Sequence, residues 1–408
     1  MTLNKRTIAL GVLIILGVLI AGYFLLRDTS TPATPGTSGT FPAVGEPVTA
    51  SVPGTTTGFF DDQIDASSRP VQAAARLVKI TDGPVAIGLA ARTVSGTSTA
   101  SSTSSADVAV RYIERASGNM YEYRQQERAI TRLTNRTIPG VFEAAWLLDG
   151  SRAYVRYVSN GTGNTTHIET YALPMSGDGQ LLARDLSQIF PDGTASVITL
   201  SSSDTGSIAT RTDIGGIGGT TVFQTPLSRL FAFATDRGMY VHTPASALAE
   251  SYVFLVRAGQ FERIPAPAKG MTVLPSPNGK ILLVSYINDS GALQTGIIDP
   301  DTATLTKLPI ATLTEKCVFT KDSLHAYCGV PASAPEEGII PDDWYQGAIG
   351  FRDRLWEIDF GSRLALFTAD LPKLTDAPID AVSLATDENQ SVLFFINRND
   401  GSLWAYEL

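Results

Sequence analysis

The stretch VLPSPNGKILLVSYI, from Val273 to Ile287, decides the fold class. Apolar residues flank Asn278-Gly279 on both sides, and an Asn-Gly pair between two such runs predicts two antiparallel strands joined by a tight turn. The same plan recurs in AAWLLDGSRAYVRYV, CVFTKDSLHAYCGV and VSLATDENQSVLFFI, which begin at Ala144, Cys317 and Val382, and a weaker copy covers Val197 to Arg211. A recurring hairpin is therefore the basic unit of this chain.

Two further strands follow each hairpin. The third strand carries aromatic or branched pairs, and seven such segments occur: NMYEYR, HIETYAL, TTVFQT, SYVFLVR, TGIID, RLWEIDF and SLWAYEL. The fourth strand has a basic residue before an apolar one, as in Arg132-Leu133, Arg263-Ile264, Lys307-Leu308 and Arg76-Leu77. Four strands in each unit of roughly 40–50 residues is the period of a β-propeller blade. We predict an all-β propeller of seven blades, with six or eight left open, and helical patterns only at Tyr123 to Leu133 and Ala245 to Glu250.

The two ends of the propeller region complement each other. The sequence stops at Leu408 after a third-type strand, so the last blade lacks a fourth strand. The segment from Ala74 to Ile80 looks like a fourth-type strand that precedes the first blade. Pairing of these segments would close the ring and remove an open sheet edge, so we predict that they form one blade.

The hairpin turns resemble those of a known family. Trp146-Leu147-Leu148-Asp149-Gly150 and the segment PSPNGK that begins at Pro275 are similar to the W-S-P-D-G-K turn of TolB-type propeller repeats. The resemblance covers about Pro70 to Leu408, and the stretch from Cys317 to Arg354 is also similar to uncharacterised membrane-anchored propellers of uncultured bacterial lineages. It implies the fold only, because propeller repeats serve many functions.

The amino-terminal region predicts a membrane anchor. Residues 7–26 carry no charge, and about 20 such residues in a helix cross the hydrocarbon of a bilayer. Lys5 and Arg6 precede this run, which places the tail, residues 1–6, in the cytoplasm by the positive-inside rule. Residues 27–70 are rich in Thr, Ser, Pro and Gly and predict a linker, so residues 71–408 would form a propeller outside the cytoplasmic membrane. A cleaved signal peptide is the alternative to this uncleaved anchor.

Composition excludes several classes of function. The formal net charge is −9 with no run of basic residues, so the chain has no electrostatic footprint for nucleic acid. His167, His242 and His325 show no metal-ligand spacing, and the sequence indicates no metal site and no cofactor. A Gly-x-Ser-x-Gly nucleophile turn is absent from the sequence. We therefore expect a protein that is not an enzyme.

The two cysteines of the chain, Cys317 and Cys328, belong to one predicted hairpin. They flank the turn Lys321-Asp322-Ser323, so an antiparallel hairpin centred on that turn places them opposite each other. Export of the propeller would supply the oxidising compartment in which disulfides persist. We predict a disulfide between them.

One insertion stands apart from the repeats. Pro331 to Gln346 (PASAPEEGIIPDDWYQ) separates two strands of the sixth blade and carries an aromatic pair beside four carboxylates. Loops of this length are often functional, and the composition suits a cationic or carbohydrate ligand or a protein partner. The predicted binding residues are Asp342, Asp343, Trp344 and Tyr345. The alternative is that Trp344 folds back over its own blade while the acids stay solvated.

Hypotheses from different functional classes follow. The first is a membrane-tethered, extracytoplasmic, non-catalytic module that binds or scaffolds an envelope protein or a glycan. The second is a glycan-processing enzyme whose carboxylates, contributed by several blades, meet in the central funnel of the propeller. A ligand sensor is a weaker third hypothesis, because residues 1–6 leave no room for a cytoplasmic output domain.

Overall fold

A computed structural model of the protein describes residues 76–95, 106–333, 335 and 338–408. The chain divides into two units, Met1–Val71 and Gln72–Leu408, and every described residue belongs to the second unit. The predicted tail, membrane span and linker, residues 1–70, lie outside the described residues. Within the described ranges, no helix is both long enough and apolar enough to cross a membrane.

The described part of the chain forms seven sheets of four antiparallel strands, which confirms the predicted seven-bladed propeller. The first strand along the chain, β1 (Leu77–Lys79), belongs to the last blade. Blade 1 comprises β2 (Ala90–Ser95), β3 (Ala106–Ile113), β4 (Met120–Arg124) and β5 (Ala129–Arg132). Blade 2 comprises β6 (Val141–Trp146), β7 (Arg152–Asn160), β8 (Thr166–Pro174) and β9 (Gln180–Leu181). Blade 3 comprises β10 (Leu186–Pro191), β11 (Ser196–Ser203), β12 (Gly206–Asp213) and β13 (Thr220–Thr225).

The remaining blades follow the same order. Blade 4 comprises β14 (Phe231–Thr235), β15 (Gly238–His242), β16 (Val253–Arg257) and β17 (Gln260–Ile264). Blade 5 comprises β18 (Thr272–Pro275), β19 (Leu282–Ile287), β20 (Leu293–Asp299) and β21 (Thr304–Lys307). Blade 6 comprises β22 (Cys317–Phe319), β23 (His325–Pro331), β24 (Asp353–Asp359) and β25 (Leu364–Ala369). Blade 7 comprises β26 (Ala381–Thr386), β27 (Val392–Asn397), β28 (Leu403–Glu407) and β1.

Helices are few and short in the described ranges. Two α-helices occupy Asp342–Gln346 and Leu371–Leu374, and 3-10 turns occupy Thr162–Asn164 and Thr314–Lys316. The two helical patterns expected from the sequence are wrong: the first is the hairpin of β4 and β5, and the second is a turn region between β15 and β16. Strand pairing with neighbours within each blade outweighs the weak local helical preference.

Blade 3 corrects one strand assignment. The weak copy from Val197 to Arg211 was expected to hold a first and a second strand, and TTVFQT a third. In the structure, Val197 to Arg211 belongs to β11 and β12, the second and third strands of the blade. TTVFQT is β13, the fourth strand. The first strand is β10 (LSQIFP), and the Asp-Gly turn of this blade is Asp192-Gly193, directly after β10 and one hairpin earlier than the assignment placed the turn.

The middle strands are apolar throughout because each blade lies between two neighbours. Residues 239–242 of β15 are all buried, although their side chains alternate between the two faces of the sheet. Tyr240 belongs to an apolar cluster with Val284 of blade 5, whereas Val241 belongs to a cluster with Ile198 of blade 3. The continuous apolar runs seen in the sequence are thus explained by burial on both faces.

Blade 7 closes the ring with strands from both ends of the described chain. β1 pairs antiparallel with β28, with Leu77 opposite Tyr406 and Lys79 opposite Trp404. The Arg76 guanidinium also donates to the backbone carbonyl oxygen of Glu407, at 2.7 Å from Nη2. The predicted pairing of the two ends is confirmed.

The first strands of the blades surround the central axis. Each first strand lies at one edge of its sheet, and first strands of neighbouring blades contact each other, as β22 does with β26 and β6 does with β10. The fourth strands lie at the opposite edges, on the outside of the ring. Side chains on the first strands are therefore those that meet near the axis.

Candidate functional site

The disulfide lies where blade 6 approaches the axis. Cys317 on β22 is directly opposite Cys328 on β23, and the two form a disulfide. A turn of Thr320 to His325 joins the strands, with the Thr320 amide donating to the carbonyl oxygen of His325 at 2.9 Å. The prediction from the sequence is confirmed, and it held because directly opposed strand partners have the close β-carbons that a disulfide requires.

The insertion of blade 6 follows a second strand, β23, and contains the helix Asp342–Gln346, here called the insertion helix. Gly347 ends this helix at a positive φ of 77° and donates its N–H to the backbone of Asp343 and Trp344. The Asp342 carboxylate accepts the backbone N–H of Ala247 from blade 4 at 2.8 Å, and Arg398 of blade 7 donates to the carbonyl oxygen of Trp344. The insertion helix of blade 6 thus contacts blade 7, its neighbour in the ring, and blade 4, which lies two blades away.

Trp344 is a core residue. It is 4% exposed, it belongs to the apolar cluster that includes Phe351 and Val382, and its indole N–H donates to Asp380 at 2.9 Å. The Arg398 guanidinium lies 4.5 Å above its ring. The indole therefore offers little surface on which a ligand could stack. The alternative, in which Trp344 covers its own blade and the acids stay solvated, fits only in part, because the apolar cluster of Trp344 extends to Val382 of blade 7.

The other predicted binding residues have different surroundings. The Asp342 carboxylate accepts the backbone N–H of Ala247, and the Asp343 carboxylate accepts that of Ile339 at 2.6 Å. Both carboxylates are therefore bonded to backbone groups of the protein. Tyr345 is 43% exposed and lines a cavity that is described below. A binding role for these residues stays a prediction.

A buried ion triad of Lys316, Asp353 and Asp380 contacts the insertion helix through the bond between Asp380 and Trp344. All three side chains are fully buried, and the Lys316 ammonium lies 2.7 Å from Asp353 and in contact with Asp380. Desolvation raises the pKa of Asp353 to about 6, while Lys316 opposes that shift and Asp380 adds to it. Both oxygens of Asp380 have partners, which join Trp344 to the first strands of blades 6 and 7.

A cavity of about 510 Å³ lies where the first strands of blades 4, 5 and 6 meet, and we call it the axial cavity. Its wall is formed by Phe231 and Phe233 of β14, Val273 and Leu274 of β18, and Cys317 of β22. Its volume falls within the range of small-molecule sites, and its mainly apolar wall with a few polar groups is also typical of them.

Glu315 and Tyr345 form the polar part of this wall. The Tyr345 hydroxyl donates to one carboxylate oxygen of Glu315, and the Thr314 hydroxyl lies 3.4 Å from the other. Glu315 lies deep in the ring yet keeps accessible surface, as a side chain on the wall of a solvent-connected cavity does. Desolvation raises the pKa of Glu315, and the bond from Tyr345 opposes this shift by stabilising the ionised form.

His242 completes the wall at the end of β15. It is 6% exposed, and its ring stacks on Phe231 at 5.2 Å and on Phe233 at 6.0 Å between ring centroids. Burial lowers the pKa of His242 to about 4, so the imidazole is neutral at neutral pH. Nδ1 donates to the carbonyl oxygen of Thr243 at 2.9 Å, which leaves Nε2 as the acceptor atom of the ring.

The sequence interpretation missed this site because its residues come from separate blades. His242 shows no metal-ligand spacing in the sequence, and no motif joins it to Glu315 or Phe231. An odd feature was visible: in FAFAT two phenylalanines alternate along a first strand, on the face that the topology brings to the axis. No group of three or more His, Cys, Asp or Glu side chains with the geometry of a metal site occurs in the described ranges.

Comparisons with known proteins indicate the fold. Neither a known protein family nor a curated protein matches this sequence. Among solved structures, an oligogalacturonate lyase from Vibrio parahaemolyticus matches 81% of this chain and 93% of its own, with a TM-score of 0.53 and 9% identity. The propeller domain of the Trilobed protease from Pyrococcus furiosus matches 79% of this chain and 95% of its own, with a TM-score of 0.49 and 10% identity.

TolB from Acinetobacter baumannii also matches, over 69% of this chain and 64% of its own, with a TM-score of 0.41 and 15% identity. At these identities a likeness concerns the fold alone. The resemblance to membrane-anchored propellers of uncultured bacterial lineages stays a prediction. The strand topology and the lyase structure together show a β-propeller.

Proposed function

We propose that this protein is a non-catalytic binding module, tethered to the cytoplasmic membrane and exposed outside it, that takes its ligand in the axial cavity. The observation that carries the proposal is the cavity itself: an apolar volume of about 510 Å³ among three blades, with Glu315, His242 and Tyr345 on its wall. Such a wall buries an apolar ligand, and its few polar groups orient that ligand.

A glycan-processing enzyme is the second candidate. The lyase with the similar fold is named for oligogalacturonate, but 9% identity transfers no activity. The two-carboxylate mechanism needs a pair of acids that flank the reacting bond, and Glu315 is the only carboxylate among the described residues that line the axial cavity. Asp353 and Asp380 are fully buried with Lys316, away from solvent. We expect no unsaturated product when the protein is incubated with oligogalacturonate.

The disulfide supports a location outside the cytoplasm, because disulfides persist in oxidising compartments. The tether assigned to residues 7–26 is part of this proposal. Protease added to intact spheroplasts should digest the propeller if the proposed orientation is right. Protection of the propeller until the membrane is opened would contradict it.

Binding in the axial cavity is tested with indole, a small neutral aromatic probe, by saturation-transfer NMR on the full-length chain. Ala245 lines the cavity, so Ala245→Phe should fill part of the volume and abolish the indole signal. Ala129 is exposed on the outermost strand of blade 1, so Ala129→Phe is the matched control and should leave the signal unchanged. An indole signal of equal strength in the Ala245→Phe variant would contradict the proposed function.

A further inference from the structure

We propose that the ligand of the axial cavity is a protonated amine carried on an apolar, aromatic-sized body. This inference rests on the proposed function, because it assigns a chemical class to the ligand of the same cavity. It is argued from three properties of the wall: its apolar surface, its hydrogen-bonding atoms and its charge.

The apolar surface selects the body of the ligand. Phe231 and Phe233 face the cavity beside Val273 and Leu274, and Phe231 is 48% exposed although it is a large apolar side chain on a first strand. Exposed aromatic surface in a concave site gains free energy when an apolar group covers it. The π-faces of such rings also attract a cation.

The hydrogen-bonding side chains of the wall have used up their donors. The Tyr345 hydroxyl donates to Glu315, and the Thr314 hydroxyl donates to Thr272 at 2.8 Å. Nδ1 of His242 donates to a backbone carbonyl oxygen, and Cys317 has no S–H because it forms the disulfide. The side-chain atoms left to meet a ligand are therefore acceptors.

Two acceptors remain. Nε2 of His242 has no hydrogen-bond partner among the described residues, although the residue is more than nine-tenths buried. The Glu315 carboxylate accepts from Tyr345 and keeps further lone pairs. A ligand that enters the cavity displaces water from these acceptors, so a ligand that brings N–H donors avoids leaving them unsatisfied.

The charge of the wall has one sign. Glu315 carries the only charge among the described residues that line the cavity, since the buried His242 is neutral. Lys316, next in the chain, does not offset it at the wall, because its ammonium is held between Asp353 and Asp380. A cation with N–H donors and an apolar body matches the apolar surface, the acceptor atoms and the negative charge of the wall. An anion such as an acidic sugar matches neither the acceptor atoms nor the negative charge.

Calorimetric titration of the full-length chain with three probes of one shape tests the inference. The probes are 2-phenylethylamine, which is protonated at pH 7, the neutral 2-phenylethanol and the anionic 3-phenylpropionate. We expect the amine to bind about tenfold or more tightly than the alcohol, because a hydrogen bond to a charged group contributes about 1.5–3 kcal/mol. The propionate should bind most weakly.

Two variants locate the preference. Glu315→Gln should lower the affinity for the amine about tenfold, to that for the alcohol, while the affinity for the alcohol stays unchanged. Glu388 is an exposed glutamate whose carboxylate pairs with Lys321, and Glu388→Gln is the matched control that should change neither affinity.

A fourth probe tests the N–H donors without any variant. The N,N,N-trimethyl derivative of the amine keeps the charge but has no N–H, and it should bind more weakly than the amine to the unaltered protein.

The outcomes separate this inference from the proposed function. Equal affinities for amine and alcohol, or tighter binding of the propionate, would overturn the ligand class while indole binding could still support the cavity as a site. An amine preference that survives Glu315→Gln would also overturn the inference. An indole signal of equal strength in the unaltered protein and in the Ala245→Phe variant would instead contradict the proposed function.

Discussion

At the scale of single residues, Asp380 joins the insertion to the propeller. One of its oxygens accepts the indole N–H of Trp344 and the backbone N–H of Phe351, and the other contacts the Lys316 ammonium. Its own backbone N–H donates to Asn397 at 3.0 Å. A buried carboxylate with this many partners specifies one arrangement of the groups around it, because a lost partner would leave a buried polar atom unsatisfied.

The first prediction concerns Trp344. We expect Trp344→Ala to lower the free energy of unfolding by about 3–5 kcal/mol, because it removes a buried ring and one of the donors to the buried Asp380 carboxylate. Tyr345→Ala, in the same helix but at a 43% exposed position, should cost about 1 kcal/mol. Urea unfolding of both variants measures this, and equal costs would show that the indole is not a core side chain.

The second prediction concerns the raised pKa of Asp353, which is about 6 in the folded protein against 3.8 as the ordinary value. Between these two pH values the folded state binds more protons than the unfolded state, so the stability contributed by Asp353 increases as the pH falls. The free energy of unfolding of the natural protein should therefore rise relative to that of Asp353→Asn between pH 7 and pH 5.

The control for this measurement is Asp322, whose pKa is lowered by hydrogen bonds from Thr320 and from the backbone of Leu324. A carboxyl with a lowered pKa contributes stability that is lost only below its ordinary value, so Asp322→Asn should show no such rise between pH 7 and pH 5. A constant difference for Asp353→Asn over this range would contradict the assignment.

At the scale of elements, the β22–β23 hairpin has a covalent link in addition to its strand pairing. The disulfide joins two cysteines that lie 11 positions apart in the sequence, and Cys317 also lines the axial cavity. β22 has only three residues, fewer than the first strands of the other blades. The link thus holds a short first strand at the edge of the cavity.

The third prediction is that removing this disulfide destabilises the protein by about 2–3 kcal/mol, the loop-entropy value for a closed loop of this size. The double variant Cys317→Ala with Cys328→Ala avoids a leftover thiol. Its urea midpoint should fall, and reductant should lower the midpoint of the natural protein without changing that of the variant. A thiol titration of the unfolded, unreduced protein that finds two free sulfhydryls would contradict the disulfide itself.

At the scale of the whole molecule, one short strand completes the ring. Ile80 donates its backbone N–H to Leu403 at 2.7 Å, and Glu407 donates to Arg76 at 2.9 Å. Hydrogen-bonded pairs alternate along an antiparallel ladder, so the Val78–Ala405 pair between them is hydrogen-bonded too. Without β1, strand β28 would be an open sheet edge.

The fourth prediction compares proline substitutions in two outermost strands. Val78→Pro removes a ladder bond that closes the ring, whereas Thr131→Pro makes the same kind of change in β5, which closes nothing. We expect Val78→Pro to lower the melting temperature by several degrees more than Thr131→Pro. Equal shifts would mean that closure by β1 adds no stability beyond that of an ordinary outer strand.

The sequence by itself determined what is local and repeated. The turn residues, the apolar runs and the spacing of the cysteines predicted four-stranded blades, their number, the closing strand and the disulfide, because each depends on neighbours within one hairpin or on a period along the chain. The insertion helix has only five residues, too few for a helical period to show. The positions of Trp344 and of the axial cavity were decided by the tertiary structure alone. Asp380, His242 and Glu315 come from different blades, and the closed ring is what brings their side chains to the axis.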